Sequence, residues 1–230
     1  MNSVICRFLN SSIGRKWIVA LTGLVLVGFV FFHMAGNLQV FLGINVFNKY
    51  AALIHTSDEL LWLARIFLLI CVLAHIYFSI MLTLENRRAR PEKYAAGDLT
   101  QAPASLASRL MAVSGLVVLA FLVFHILHFT THTIDPEYAT LFDKHGRHDV
   151  YNMVIEGFSH KGISAVYILG TGLLCLHLSH GFASLFQTLG LMSKNNEVLI
   201  QRLCLALAIL LWIGFAAVPI GVLANLIKPV

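Results

Sequence analysis

Five long apolar runs are the feature of this sequence that most restricts its fold. They cover approximately residues 17–42, 60–84, 110–131, 162–189 and 203–227. A bilayer core of about 30 Å requires about 20 apolar residues of helix, and lipid offers no partner to an unpaired backbone group. The runs are too long and too continuous for barrel strands. The sequence therefore predicts an all-α membrane protein with five transmembrane helices, forming a single domain over residues 1–230.

The charged residues fit this fold and indicate its orientation. Only 12% of the residues are charged and 58% are hydrophobic, whereas a soluble domain carries about 25% charged residues. The net charge of +5 does not suggest nucleic-acid binding, because most of the basic residues flank the apolar runs. Ten of the 16 Lys and Arg residues fall on the side of the N-terminus, which predicts that the N-terminus is cytoplasmic.

Histidines inside the apolar runs are the strongest indication of function. The chain has 11 histidines, and each of the first four runs holds one well within its length. These four are His33, His75, His125 and His177. Polar groups within a membrane are costly and mark functional sites, and neutral imidazole is a common axial ligand of haem iron. One histidine per helix suits a four-helix bundle that holds a cofactor between facing helices. The alternative, that each histidine only bonds a neighbouring helix, explains one such residue better than four.

The depth of these histidines predicts how they pair. At about 1.5 Å of rise per residue, His33 and His125 each lie about 24 Å from the inner edge of their helices. By the same measure, His75 lies about 15 Å and His177 about 18 Å from that edge. We therefore predict that His33 and His125 bind an outer haem b. His75 and His177 are predicted to bind an inner haem b.

Two further histidines leave the choice of ligands open. His128 and His180 each lie about one helical turn beyond a predicted ligand, on roughly the same face. Either can replace its neighbour as ligand, or contact the haem propionates or a quinone instead. Residues 22–33 and 114–125 echo each other, since a hydroxyl residue and then Gly precede a histidine by eleven and ten positions. The echo favours His125 over His128, while the residues themselves do not decide between His177 and His180.

Several short stretches, taken together, form a specific pattern. They are Ser12-Ile-Gly-Arg-Lys16, His33-Met-Ala-Gly-Asn37, Thr83-Leu-Glu-Asn-Arg-Arg88, Phe124-His-Ile-Leu-His-Phe129 and His177-Leu-Ser-His-Gly181. Over nearly the whole chain the pattern resembles the five-helix, di-haem cytochrome b subunits of bacterial succinate dehydrogenases and fumarate reductases. The resemblance implies ligands on the first four helices, the first paired with the third and the second with the fourth. It thereby selects His125 and His177 over His128 and His180.

The same resemblance implies the cofactors, partners and location of the chain. It predicts two haem b groups, with quinone, by family habit menaquinone, as the substrate in the membrane. A flavoprotein subunit with covalent FAD and an iron–sulfur subunit would dock on the cytoplasmic side of the bacterial inner membrane. The chain itself has no dinucleotide-binding glycine motif and no cluster-type cysteine spacing. It would therefore serve as the membrane subunit of the enzyme and would not bind the dicarboxylate.

The quinone site is predicted less directly. His55, Asp58 and Glu59 lie between the first two apolar runs, and an acidic or histidine side chain near a haem edge exchanges protons with a quinone. Their simpler interpretation is a solvated loop followed by a helix N-terminus, where acidic residues are favoured.

Two other functions compete with this interpretation. One is the haem b subunit of a different membrane oxidoreductase, a hydrogenase or a formate dehydrogenase, which also uses intramembrane histidines. The other is a metal-ion transporter, in which histidines line a polar path. Such paths usually recruit intramembrane Asp or Glu as well, and the cores of these apolar runs contain almost none.

Overall fold

The computed structural model describes residues 6–8, 11–89 and 106–230, with the backbone alone described for 106–110. The α-helices discussed below are α1 (Ser12–Asn37), α2 (Ile44–Ile54), α3 (Asp58–Arg88), α4 (Leu106–Phe129), α5 (Val150–Ser159), α6 (Lys161–Thr188) and α7 (Glu197–Leu223). Two 3₁₀ helices, Leu38–Leu42 and Pro136–Thr140, lie in the connections. Over these described ranges, the only β pairing is an isolated bridge between Phe142 and His148.

Five of these helices are long and apolar enough to cross a membrane. They are α1 with the 3₁₀ turn that follows it, α3, α4, α6 and α7. This confirms the predicted all-helical fold and the predicted number of spans. In the most apolar window of α3 only 6% of the residues are buried inside the protein, as expected for a helix that faces lipid. The chain is therefore a multi-pass membrane protein.

Capping residues explain why two helices begin before the predicted starts at residues 17 and 60. The hydroxyl of Ser11 accepts a hydrogen bond of 2.9 Å from the backbone N–H of Gly14, so α1 begins at Ser12. The hydroxyl of Ser57 accepts one of 3.3 Å from Leu60 N–H at the start of α3. Such caps satisfy N–H groups that have no partner within the helix, and hydropathy does not register them.

The long helices pack in a specific order. α3 packs on α1, α4 packs on α6, and α6 also packs on α1 and on α7. Neither α1 with α4 nor α3 with α6 is among the closely packed helix pairs of the described residues. These two combinations carry the predicted histidine pairs. Their side chains therefore meet across the bundle without close contact between the helix backbones.

The connection between α4 and α6 covers one end of the bundle. Tyr138 and Ile155 from this connection form an apolar cluster with Phe47 of α2 and Val218 of α7. We call this end of the bundle the capped end, and the opposite end, where α1 begins, the Ser12 end. The short helices α2 and α5, which build much of the cap, were not predicted from the sequence.

A buried polar network fastens the cap. The side chain of Asn48, which is 0% exposed, donates hydrogen bonds to Asp143 at 3.2 Å and to Asp149 at 3.0 Å. Its carbonyl oxygen accepts one of 2.9 Å from Tyr151 N–H. Arg147 Nε donates to Asp143 at 2.7 Å, and this hydrogen bond holds the pKa of the Asp143 carboxyl well below its usual range. The hydrogen bonds of Asn48 to Asp149 and Tyr151 thus join α2 to the start of α5.

An ion pair between Arg15 and Glu85 joins α1 to α3 at the Ser12 end. Arg15 is buried, with 8% of its surface exposed. A buried guanidinium needs an anionic partner to offset the loss of hydration. The pair therefore links the two helices at this end.

Candidate functional site

His33 of α1 and His125 of α4 face each other near the capped end. Their ring centroids are 5.7 Å apart and the ring planes are inclined by 80°. Phe29 stacks on His33 at 5.3 Å, and Phe121 lies beside His125. The first predicted pair is therefore brought together by helices that are far apart in sequence. We call these two residues the capped-end pair.

A chain of polar groups fixes the proton of His125. Nε2 of the fully buried His128 lies 3.2 Å from Oδ2 of Asp135, although the two atoms are not well aligned as a hydrogen bond. A lone pair would repel the carboxylate there, so in the neutral ring that burial favours the proton of His128 belongs on Nε2. The hydroxyl of Tyr167 then donates to Nδ1 of His128 at 2.9 Å.

That arrangement leaves Tyr167 only as an acceptor toward His125. A phenol has one hydrogen, and Tyr167 has given it to His128. Nδ1–H of His125 therefore donates to the Tyr167 oxygen at 3.3 Å. The lone pair of His125 consequently lies on Nε2, the nitrogen that Tyr167 does not engage. Among the described residues, none forms a hydrogen bond with His33.

His75 of α3 and His177 of α6 form the second predicted pair, nearer the Ser12 end. The two imidazoles lie close enough to interact electrostatically. Nδ1 of His75 is 3.3 Å from the hydroxyl of Thr22 and 3.2 Å from the carbonyl of Val19. Nδ1 of His177 is 3.0 Å from the hydroxyl of Ser114. We call His75 and His177 the Ser12-end pair.

The two pairs lie in separate layers of the bundle. The ring of His75 contacts α1 at Thr22, eleven positions before His33. The ring of His177 contacts α4 at Ser114, again eleven positions before His125. At about 1.5 Å per residue, eleven residues correspond to about 16 Å along a helix. The two histidine pairs thus lie at different levels along the bundle.

The capped-end pair fits one haem group that two imidazoles would hold, because its ring centroids are 5.7 Å apart and each imidazole would bind the iron at about 2 Å. His75 and His177 would hold a second haem group, and each haem would supply one-electron transfer. The partners of His75 and His125 favour a proton on Nδ1 of each ring, which would leave Nε2 as the atom that binds iron. In the described ranges, no group of three or more His, Cys, Asp or Glu side chains is placed to hold a bare metal ion.

The two additional histidines occupy different positions. His128 is 0% exposed and both of its nitrogens face polar partners, Tyr167 and Asp135. This engagement favours His125 over His128 as a ligand, in agreement with the echo. His180 is half-buried on α6 and lies close enough to His177 to interact with it electrostatically.

The residues predicted for quinone lie in an exposed turn. Nδ1 of His55 donates back to the carbonyl of Ala51 at 2.9 Å. Asp58 and Glu59 form the exposed first turn of α3, and Glu59 accepts a hydrogen bond from the Ser57 hydroxyl at 3.0 Å. The described hydrogen bonds of His55 and Glu59 are thus local. They agree with the simpler interpretation, in which these residues form a solvated loop and the N-terminus of a helix.

The prediction from sequence missed several polar groups that hold the histidines. Tyr167 and Asp135 were not singled out, because nothing in the local sequence distinguishes them from other residues of a helix or loop. Thr22 and Ser114 were noticed as part of the echo, but the echo was interpreted as equivalence of His33 and His125. In the structure these hydroxyl residues contact the other two histidines.

Comparison with protein-family models, with curated proteins and with solved structures finds no match. The function is therefore inferred from the residues and from the geometry of the two histidine pairs.

Proposed function

We propose that this protein is the di-haem cytochrome b membrane-anchor subunit of a succinate:quinone oxidoreductase, a succinate dehydrogenase or fumarate reductase. It would transfer electrons between an iron–sulfur subunit and membrane quinone. The observation that carries the proposal is the pair of histidine layers, each joining two helices that do not pack closely on each other. The motifs that resemble this family supply the identity of the complex.

Haem b held by two imidazoles supplies one-electron transfer, with a potential set by ligands, burial and nearby charge. The chain's own residues hold the ligand rings and exclude water. The Nδ1 atoms of three histidines lie within hydrogen-bond distance of other residues: His75 contacts Val19 and Thr22, His177 contacts Ser114, and His125 contacts Tyr167. These contacts would leave Nε2 of each ring to bind iron. The apolar helices around these rings keep the layers within the membrane.

The partners follow from the proposed identity and orientation. A flavoprotein with covalent FAD and an iron–sulfur subunit would bind at the Ser12 end, on the cytoplasmic face of the bacterial inner membrane. Quinone would bind near the capped end, and menaquinone is the type that the family resemblance favours. An open cleft there is lined in part by Asp135, His160 and Lys161, whose side chains are able to exchange protons with a quinone.

The first test is the haem content of the purified protein. We expect two low-spin b haems per chain from pyridine-haemochrome quantitation and reduced-minus-oxidised spectra. Substituting Ala singly for His33, His75, His125 or His177 is expected to abolish binding of one haem, because each iron then lacks an axial ligand. Absence of haem from the wild-type protein isolated from haem-replete cells would refute the proposal.

Two matched control variants sharpen this test. His128→Asn replaces a buried histidine that lies one helical turn from His125. His180→Ala replaces a histidine that lies one helical turn from His177. We expect both controls to retain two haems. If a control variant loses a haem while the variant of the neighbouring predicted ligand keeps both haems, the residue changed in the control is the ligand.

Co-purification tests the identity of the complex. A covalent-flavin protein and an iron–sulfur protein are expected to co-purify with the tagged chain from its native membrane. Recovery of a hydrogenase or formate dehydrogenase subunit instead would keep the haem sites and overturn the succinate:quinone assignment.

A further inference from the structure

The two hydroxyl residues of the internal echo both contact the Ser12-end pair. Thr22 of α1 reaches His75 of α3, and Ser114 of α4 reaches His177 of α6. We propose that Thr22 and Ser114 are positioning residues that fix the tautomer and rotation of these two histidines, and thereby set the affinity and midpoint potential of the haem bound by this pair alone. The inference rests on the proposed haem function and deepens it.

The hydrogen bonds of Thr22 determine which atom of His75 carries the proton. The single hydroxyl hydrogen of Thr22 is directed to the carbonyl of Ile18 at 2.7 Å. Its oxygen can then only accept from Nδ1–H of His75. The carbonyl of Val19, 3.2 Å from the same nitrogen, is also only an acceptor. Both contacts place the proton of His75 on Nδ1 and the lone pair on Nε2.

Ser114 imposes the same state on His177. Its hydroxyl donates to the carbonyl of Met111 at 3.0 Å, so its oxygen accepts from Nδ1–H of His177 at 3.0 Å. Two sites on different helix pairs thus share one arrangement. This repetition explains why the hydroxyl residue recurs eleven positions before His33 and before His125, although it contacts neither of them.

The glycine that follows each hydroxyl residue completes the arrangement. A Cβ added to Gly23 would lie 3.3 Å from Cε1 of His75, and one added to Gly115 would lie 3.4 Å from Cε1 of His177. A side chain at Gly23 would press on the ring of His75, and one at Gly115 would touch the ring of His177. Each hydroxyl–glycine pair therefore binds one edge of an imidazole and leaves room for the adjacent carbon.

The arrangement belongs to one layer only. In the capped-end pair, His125 bonds to Tyr167 instead, and the described residues provide no hydrogen bond for His33. Hydrogen bonding of Nδ1–H raises the basicity of a ligating imidazole. A more basic ligand favours the oxidised, more positively charged iron. Removing the acceptor should therefore raise the midpoint potential of one haem and leave the other unchanged.

The experiment compares variants that keep or remove the hydroxyl. Thr22→Val and Ser114→Ala remove it, whereas Thr22→Ser and Ser114→Thr retain it. Thr83→Val and Ser179→Ala are matched controls, because Thr83 and Ser179 make the same kind of bond to their own helices without a histidine partner. The readouts on the purified protein are redox titration of each haem, low-temperature electron paramagnetic resonance and haem content.

We expect Ser114→Ala and, to a smaller extent, Thr22→Val to raise the potential and change the resonance of one and the same haem. The effect of Thr22→Val is smaller because the carbonyl of Val19 still accepts from His75. In Ser114→Ala the affinity for this haem should fall by about 10-fold, the lower end of the effect of residues that support metal ligands. The hydroxyl-retaining variants should restore both properties, and the two controls should match the wild type. Unchanged potentials and spectra in both Thr22→Val and Ser114→Ala would overturn the inference, as would equal losses in the hydroxyl-retaining variants.

Failure of this inference is distinguishable from failure of the proposed function. Wild-type protein without haem refutes the proposed function before any variant is made. Wild-type protein with two haems, combined with effects spread over both haems or shared by Thr83→Val and Ser179→Ala, refutes only the positioning role.

Discussion

At the scale of single residues, neighbouring histidines on one helix have different surroundings. His125 directs Nδ1–H to Tyr167, whereas His128 receives the hydrogen of Tyr167 and faces Asp135 with its other nitrogen. The hydrogen bond to Tyr167 leaves Nε2 of His125 unused, whereas both nitrogens of His128 face polar groups. The Tyr167 hydroxyl, placed between the two rings, is the group that separates these roles.

Tyr167→Phe should therefore destabilise the protein. It leaves Nδ1 of the fully buried His128 without its donor, and an unsatisfied buried polar group costs about 1–3 kcal/mol. Thermal unfolding in detergent measures the loss. Tyr77→Phe is the matched control, because Tyr77 is 58% exposed on α3. If both variants unfold together with the wild type, the Tyr167 hydrogen bonds contribute nothing to stability.

At the scale of helices and connections, the cap contains short helices that hydropathy does not predict. The apolar runs predicted the long helices, although the capping residues Ser11 and Ser57 make two of these helices begin earlier than the runs do. The short helices α2 and α5 have too few residues to stand out as spans. They are stable because their apolar faces bury Phe47 and Ile155 in one cluster against α7 and the cap. Short isolated helices are marginal in water, and tertiary packing provides most of their stability.

Asn48→Ala tests how far the polar network holds α2 to the cap. The substitution removes partners from Asp143, Asp149 and the N–H of Tyr151. Each buried group left unsatisfied costs about 1–3 kcal/mol, so we expect an earlier unfolding transition and faster proteolysis of the cap. Lys49→Ala on the same helix is the control, since Lys49 is exposed and makes none of the hydrogen bonds of the network. Equal proteolysis of the two variants would mean that the network is dispensable.

At the scale of the whole molecule, the order of helix packing creates the two layers. α1 packs on α3 and α4 packs on α6, yet each histidine pair joins one helix from each of these units. Any cofactor held by the pairs would therefore bridge the two units. The capped end and the Ser12 end also differ in chemistry, with a folded polar cap at one and the Arg15–Glu85 ion pair at the other.

The predicted cytoplasmic N-terminus, combined with five spans, predicts on which side of the membrane each connection lies. Lys144, between α4 and α6, and Lys194, between α6 and α7, are both exposed and should lie on opposite sides of the membrane. In a Cys6→Ser background, Lys144→Cys should react with a membrane-impermeant maleimide in intact cells whose outer face is accessible to it. Lys194→Cys should react only after permeabilisation. Labelling of both from the same side would contradict the five-span topology, and the reverse pattern would invert the orientation.

Hydropathy predicts the fold class and the number of spans that the structure shows. Hydropathy is a local property, and a bilayer forces an apolar run to become a helix. On regular helices, the distance of His33 and His125 from one edge follows from the number of residues between them and that edge. Only the tertiary structure decided which atoms of these histidines are engaged. His75 meets Thr22 across 53 positions and His177 meets Ser114 across 63. Such hydrogen bonds depend on the packing and rotation of whole helices, which no local pattern in the sequence records.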